Sequence, residues 1–328
     1  MDKKLIDQHG RILTYLRISI TDRCNFRCRY CMPSEGVPWI PHEKIMTFED
    51  IEFLAASLIP MGIRKVRFTG GEPFVRKGLV DFLKDIGKRH EDLRIAVTTN
   101  GSMLAQFSED LKQSGISGIN VSLDTLDREK FRFITRTDAF ADVMEGIRVF
   151  SETTKIPLKI NTVLINGFND GEIENLIRYA REHRAVLRFI EFMPLDGDVW
   201  AEDRFISADK IFEKLPGGPQ AWRTLPASSA HNHDGPATYY RNRDTGQRIG
   251  VIAAVSHHFC DRCNRLRITA TGEMRTCLFS NEGTPLLSFI RERDTEALQK
   301  TIMEAAFRKP KSWTIIGNTE HHMSQIGG

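Results

Sequence analysis

Up to about residue 195, short apolar runs alternate with longer stretches in which apolar residues recur every three or four positions. The short runs predict strands at 16–20, 65–69, 94–99, 118–123, 158–164 and 187–193. The longer ones predict helices near 48–59, 77–89, 103–113, 139–151 and 172–183. Regular strand–helix alternation at this spacing predicts a parallel sheet with helices outside it. Six such units suit a partial or full (β/α) barrel, whose chemistry gathers at the C-terminal strand ends. A doubly wound open sheet would give the same string.

Polar motifs fall where those strands end. Cys24 follows the first, Thr69-Gly70-Gly71-Glu72-Pro73 closes the second, and Thr98-Thr99-Asn100-Gly101 the third. Val121-Ser122-Leu123-Asp124 ends the fourth and Glu191-Phe192-Met193-Pro194 the sixth. Beyond residue 195 the rhythm stops. Residues 216–237, rich in Pro, Gly, Ser and Ala, read as a long loop. A strand at 249–255 and helices near 285–291 and 296–307 follow. The expected division is a barrel over 1–200 and an appendage over 201–328.

Composition adds limits. The chain has 328 residues, 27% charged and 41% hydrophobic, as in ordinary globular proteins. No apolar run approaches the ~20 residues of a membrane helix, and the first residues lack signal-peptide architecture. A cytoplasmic location without membrane partners is the expectation. The net charge of +3 is too small to argue for nucleic acid. In a reducing compartment, six cysteines in two groups of three point to metal rather than disulfides.

The first group, Cys24, Cys28 and Cys31, spells C-x3-C-x2-C. Three thiolates leave one iron of a four-iron cubane open to a small molecule. Zinc would need a fourth ligand, for which His9 and His42 are the nearest candidates. Gly70 and Gly71 let backbone approach a ligand closely, with Glu72 available to an ammonium. Ser122 and Met193 also sit at strand ends, beside these motifs. The second group is Cys260, Cys263 and Cys277. It admits either a zinc site completed by His257 or His258 or a second open cubane. Arg265 and Arg267 flank Leu266 on an extended stretch, so their guanidiniums share a face and match phosphate oxygens. Arg17 with Ser19, Arg67 with Thr69, and Lys159 with Asn161 share faces of barrel strands in the same way. Charge inside a barrel is costly unless it is paired, which favours a polyanionic ligand there.

From LRISITDRCNFRCRYCMP through VRFTGGEPFVR, TTNG, INVSLD, LKINTV and RFIEFMPL to CDRCNRLRITATGEMRTCLF and the terminal Gly327-Gly328, the chain resembles the GTP 3′,8-cyclase family of radical S-adenosylmethionine enzymes. The resemblance implies a partial (β/α)6 TIM-like barrel with a C-terminal appendage carrying a second iron–sulfur cluster. Cys24, Cys28 and Cys31 would hold the [4Fe-4S] cluster that binds S-adenosylmethionine. Tyr30, Gly71, Ser122 and Met193 would contact that cosubstrate. Cys260, Cys263 and Cys277 would hold a second [4Fe-4S] cluster facing guanine. Arg17, Arg67, Thr98, Lys159 and the run Arg265, Leu266, Arg267 would bind GTP. Gly327 and Gly328 would thread toward the active site and support turnover. Implied partners are an electron donor such as flavodoxin or ferredoxin, a downstream cyclic pyranopterin monophosphate synthase, and a second copy in a homodimer. The rival readings are a radical enzyme acting on a peptide and a zinc-stabilised nucleic-acid binder.

Overall fold

The computed structural model describes residues 4–195, 201–226, 235–316 and 323. Strands β1 (Tyr15–Ser19), β2 (Lys65–Thr69), β3 (Arg94–Thr99), β4 (Gly118–Ser122), β5 (Leu158–Leu164) and β6 (Val186–Glu191) lie side by side in chain order and all run parallel. Helices α1 (Phe48–Leu58), α2 (Leu79–Arg89), α3 (Leu104–Leu111), α4 (Arg128–Thr135), α5 (Phe140–Thr153) and α6 (Ile173–Glu182) connect them. The N-terminus of α1 is fixed by a reciprocal Thr47–Asp50 capping box. At α4, Asp127 accepts bonds from the amides of Glu129 and Lys130. Helix α4 was not foreseen, because its charge-rich sequence REKFRFIT buries only Phe131, Ile134 and Thr135.

The C-terminal part forms β7 (Trp222–Thr224), β8 (Thr238–Asn242), β9 (Arg248–Ile252), β10 (Arg265–Ile268), β11 (Glu273–Arg275) and β12 (Thr284–Pro285), with α7 (Ala208–Glu213), α8 (Leu287–Arg291) and α9 (Thr295–Phe307). It extends the sheet at both edges. β9 pairs parallel to β6 and β10 pairs parallel to β1. The order is β12-β11-β10-β1-β2-β3-β4-β5-β6-β9-β8-β7. The stretch expected to be one loop over 216–237 thus contains β7, which pairs antiparallel with β8.

Every residue of β2 is buried, so the strand is covered on both faces. Val66 and Phe68 join the apolar core shared with the helices. There Phe68 meets Phe82 at 5.4 Å, and Phe82 stacks on Phe48 at 4.5 Å. The alternate positions belong to the other face. Across the eight parallel strands that face carries Arg17, Arg67, Thr98, Asn120, Asn161, Arg188, Ile252 and Arg267, all lining one cavity of about 300 Å³. A barrel interior filled by its own side chains is apolar and branched. This interior instead surrounds a cavity onto which a set of polar side chains converges, as at a ligand site. No helix among the described residues is long and apolar enough to cross a membrane.

Candidate active site

All six cysteines line this cavity. The first trio lies on the loop leaving the C-terminal end of β1, as the strand-end rule expects. The second lies at the opposite end. Cys263 lies two residues before the start of β10, which runs parallel to β1, and Cys277 lies two residues past β11, which runs back antiparallel. Both therefore sit where the parallel strands begin. The arginines occupy the span between the two trios.

The first loop is held by backbone. The amide of Cys31 bonds the carbonyl of Cys28 at 2.9 Å, and the amide of Phe26 points at the Cys24 sulfur at 3.4 Å. The glycine pair of the β2 turn packs directly on this loop. The Gly71 amide donates to Thr21 O at 2.9 Å and the Glu72 amide to Arg23 O at 2.8 Å. A Cβ on Gly71 would come within 2.1 Å of Arg23 O, and one on Gly70, at φ +147°, within 2.3 Å of Thr21 O. Glu72 stands elsewhere than the ammonium role expected of it. It is fully buried and off the cavity wall. Its carboxylate accepts from Phe74 N at 3.0 Å, Thr99 Oγ1 at 2.7 Å and Asn100 N at 2.6 Å. It ties the β2 turn to the β3 turn. Burial pushes its carboxyl up to about 7, against those bonds.

Tyr30, Gly71, Ser122 and Met193 all line the cavity near the first trio's loop or at strand ends. Tyr30 donates its hydroxyl to Asp124 Oδ2 at 2.6 Å, while Asp124 Oδ1 accepts from Val163 N at 2.9 Å. Asp124 was missed in the sequence. Burial raises its carboxyl to about 6. Glu191, fully buried, accepts from Ala208 N at 2.7 Å and from Val255 N at 2.7 Å, so it anchors the loop after β9 to β6.

Between the trios, Arg17, Arg67, Thr98, Arg265 and Arg267 line the cavity. Arg67 donates from Nε to Tyr15 Oη at 2.5 Å and from a terminal nitrogen to Thr98 Oγ1 at 3.1 Å. Lys159 shares the face of Asn161 one step nearer the strand start, with its ammonium 5.8 Å from the Tyr239 ring centre. Leu266 is a correction. It is fully buried in the apolar core. Successive strand residues point to opposite faces, so Leu266 leaves the cavity to its two arginine neighbours. Gly327 and Gly328 lie outside the described residues.

The structure adds Tyr15, Lys65 and Arg188. Lys65 is buried with its ammonium 4.9 Å from the Tyr15 ring centre. Arg188 bonds Asn161 Oδ1 from Nε at 2.9 Å. Gly250 leaves room for its stem, since a Cβ there would sit 2.9 Å from Arg188 Cγ. Both cations stand at alternate strand positions, and that period was the available signal. Electrostatics reflect the crowding. Burial and then the charge of Arg267 push Arg17 well down. Burial opposes ionisation of Tyr15, but Arg67, Arg17 and Lys65 bring the phenol down to about 6.

The donor sets suit thiolate-held iron clusters. Each trio faces the shared cavity, and thiolates are the ligands of such clusters. Among the described residues no three His, Cys, Asp or Glu side chains converge on a point suited to one metal ion. His257, a candidate zinc ligand, instead meets Asp209 Oδ2 at 3.0 Å. Burial and then Cys31 and Cys24 push the Cys28 thiol up. At Cys263 burial acts the same way, but Arg265 and then Lys309 pull the thiol down to about 6. Buried Lys309 also bonds Arg265 O at 3.1 Å, and Arg11 bonds Cys260 O at 2.7 Å.

Residues 18–180 match the Radical SAM superfamily, and residues 185–315 match Molybdenum Cofactor Synthesis C. The GTP 3′,8-cyclase of Peptoclostridium acidaminophilum is 38% identical over 100% of both chains. That of Rhizobium etli is 41% identical over 99% of this chain and 94% of its own. The chain belongs to the GTP 3′,8-cyclase family. Outside this cyclase family, the crystal structure of Streptococcus suis SuiB bound to precursor peptide SuiA aligns with a TM-score of 0.64 at 14% identity. It covers 94% of this chain and 68% of that one, a likeness of fold alone. In this cyclase the two matched regions meet in one sheet, through β5–β6 and β1–β10.

Proposed function

We propose that this chain converts GTP to (8S)-3′,8-cyclo-7,8-dihydroguanosine 5′-triphosphate, the first step of molybdenum cofactor biosynthesis. The observation that carries the reading is the cavity itself, with a thiol trio at each end and a row of buried arginines between them. In this reading β1–β6 form a partial (β/α)6 barrel of the radical S-adenosylmethionine type, and β9 and β10 of the C-terminal region extend its sheet. The division near residue 200 separates its core from the region that brings the second trio.

Cys24, Cys28 and Cys31 would hold a [4Fe-4S] cluster, and Cys260, Cys263 and Cys277 a second. When bound, the first cluster with S-adenosylmethionine would supply a 5′-deoxyadenosyl radical able to take the ribose C3′ hydrogen, and closure of C3′ onto guanine C8 would then take up one electron and one proton to give the dihydro product. The chain's own residues do the positioning. Gly71, Tyr30, Ser122 and Met193 would seat S-adenosylmethionine beside the first trio. Arg17, Arg67, Arg265, Arg267 and Lys159 would grip the triphosphate, where guanidinium forks match its oxygens. Thr98 holds Arg67 in place at 3.1 Å. With the phosphates fixed midway, guanine would face the second trio and the ribose the first.

The remaining parts of the reading concern context. An electron donor such as flavodoxin or ferredoxin would reduce the first cluster, and a cyclic pyranopterin monophosphate synthase would consume the product. The enzyme would act in the cytoplasm as a homodimer. An anaerobic assay with GTP, S-adenosylmethionine and dithionite tests the proposal. It should yield 5′-deoxyadenosine and the cyclic nucleotide together. 5′-Deoxyadenosine without GTP-derived product would refute it.

A further inference from the structure

The first thiol loop has two sides. Cys28, Tyr30 and Cys31 line the inner cavity, while Arg29, between them in the chain, lines a separate depression on the outer surface with Arg132, Phe133 and Arg136. The end of α4 is locked to the loop by main-chain bonds. Arg27 N donates to Thr135 O at 3.0 Å and Arg29 N to Ile134 O at 2.8 Å. Arg136, at a left-handed φ of 54°, turns its guanidinium back onto the carbonyls of Arg27 and Met32, each at 3.1 Å.

Arg29 bonds Phe133 O at 2.8 Å, and its guanidinium lies 4.1 Å from the Phe133 ring centre. Arg136 likewise bonds only carbonyls among the described residues, and Arg132 is exposed. Asp138 at the rim is occupied by Arg128, 3.0 Å away. With Arg128 counted, four arginines stand against two acids, Glu129 and Asp138, so the rim and floor of the depression stay net basic. Phe133 is 52% exposed, an apolar plate at the centre of a basic patch.

We propose that this depression is the docking surface for a flavodoxin-type electron carrier. This deepens the reading that the first trio holds a reducible cluster, and rests on it. Transfer over short distances needs a carrier close to the cluster, and Arg29 is the chain neighbour of Cys28. The inner side is reserved for substrates, so the outer side is the remaining approach. A flavodoxin surrounds a flat, partly exposed flavin edge with carboxylates. The arginines complement that charge and steer the encounter. The Phe133 ring with its stacked guanidinium offers a flat centre for the contact. The fully reduced flavin gives one electron to the oxidised cluster and leaves one-electron oxidised; no bond forms or breaks.

The test uses the full-length, anaerobically reconstituted protein and its Arg132→Glu, Glu129→Gln and Lys300→Glu variants, the last on the distant helix α9. Affinity for oxidised flavodoxin is measured at low and high salt. Rates of cluster reduction are then compared between reduced flavodoxin and dithionite, which needs no docking. Arg132→Glu should weaken binding and flavodoxin-driven reduction about ten-fold and flatten their salt dependence. Glu129→Gln should tighten binding, Lys300→Glu should match wild type, and dithionite should reduce every variant alike. Wild-type affinity in Arg132→Glu, an equal loss in Lys300→Glu, or the same Arg132 dependence for a ferredoxin would overturn the proposal. The binding arm involves no turnover. Arg132-dependent binding to a chain with no cluster at the first trio would sink the functional reading and leave the surface standing.

Discussion

Arg17 stands in register with Arg67 across the β1–β2 ladder, and both side chains line the cavity. On its other side Arg17 is in register with Arg267 of β10. Three like charges on adjacent strands repel one another, and burial adds to the cost. Such a row is unfavourable for the empty protein and favourable for holding a triphosphate.

Arg17→Ala should therefore weaken GTP binding by about ten- to hundred-fold, the scale of one lost charge-assisted bond of roughly 1.5–3 kcal/mol. Iron content should not change. Thermal unfolding without GTP should be equal to wild type or later, because the substitution relieves repulsion. Undiminished GTP affinity would mean that the row serves another ligand.

Tyr15 gives the row a pH signature. Its phenol is held at about 6, far below the unfolded value of 10.0. A depressed acid stabilises the fold fully above its unfolded pKa and loses that contribution as pH falls through its folded pKa. Between pH 6 and 10 wild type should gain stability over Tyr15→Phe as pH rises. Urea unfolding of both proteins across that window measures it, with tyrosinate absorbance as an independent reading. A constant difference would show a neutral phenol.

Gly71→Ala should cost the first cluster and spare the second. The added methyl would come within 2.1 Å of Arg23 O, and that oxygen is backbone and cannot swing aside as a side chain would. Gly171→Ala, with no atom within 4 Å, is the control. Iron analysis and spectra of the two variants check this. Full iron loading in Gly71→Ala would show that the loop can shift.

Leu266→Ala and Glu72→Ala separate support from contact. Leu266 should behave as a core residue, losing about 2–5 kcal/mol of stability with GTP KM unchanged. Glu72→Ala orphans three donors and should lower stability by at least about 1–3 kcal/mol. A rise in GTP KM for the first, or a loss of S-adenosylmethionine affinity without destabilisation for the second, would restore the direct roles that the resemblance and the motif suggested.

What the sequence disclosed follows from which information is local. The strand at 158–164 is legible from its β-branched and apolar residues and appears as β5 with the same bounds, although Thr162 and Val163 break the apolar–polar alternation. The thiol spacing and the glycine turn are also local. The neighbours of β10 are not, since its pairing with β1 joins residues some 250 positions apart: Tyr15 and Arg265. Without that pairing the second trio could not be placed at the far end of the strands. Glu72 illustrates another limit. Its acidic side chain beside two glycines suggests a ligand, but its three protein donors come from turns that only the fold brings together. Lys65 was hidden for a different reason, because a lysine at the start of an apolar run reads as a solvated end.

The two trios line opposite ends of one chamber, where each would hold a cluster with one iron open to a ligand. Electron paramagnetic resonance of the reduced, reconstituted protein tests it most directly, with S-adenosylmethionine and GTP added separately. S-Adenosylmethionine should perturb only the signal that Cys24→Ala abolishes, and GTP only the signal that Cys263→Ala abolishes. A GTP titration that leaves both signals unchanged, or moves the one belonging to Cys24, would contradict the account.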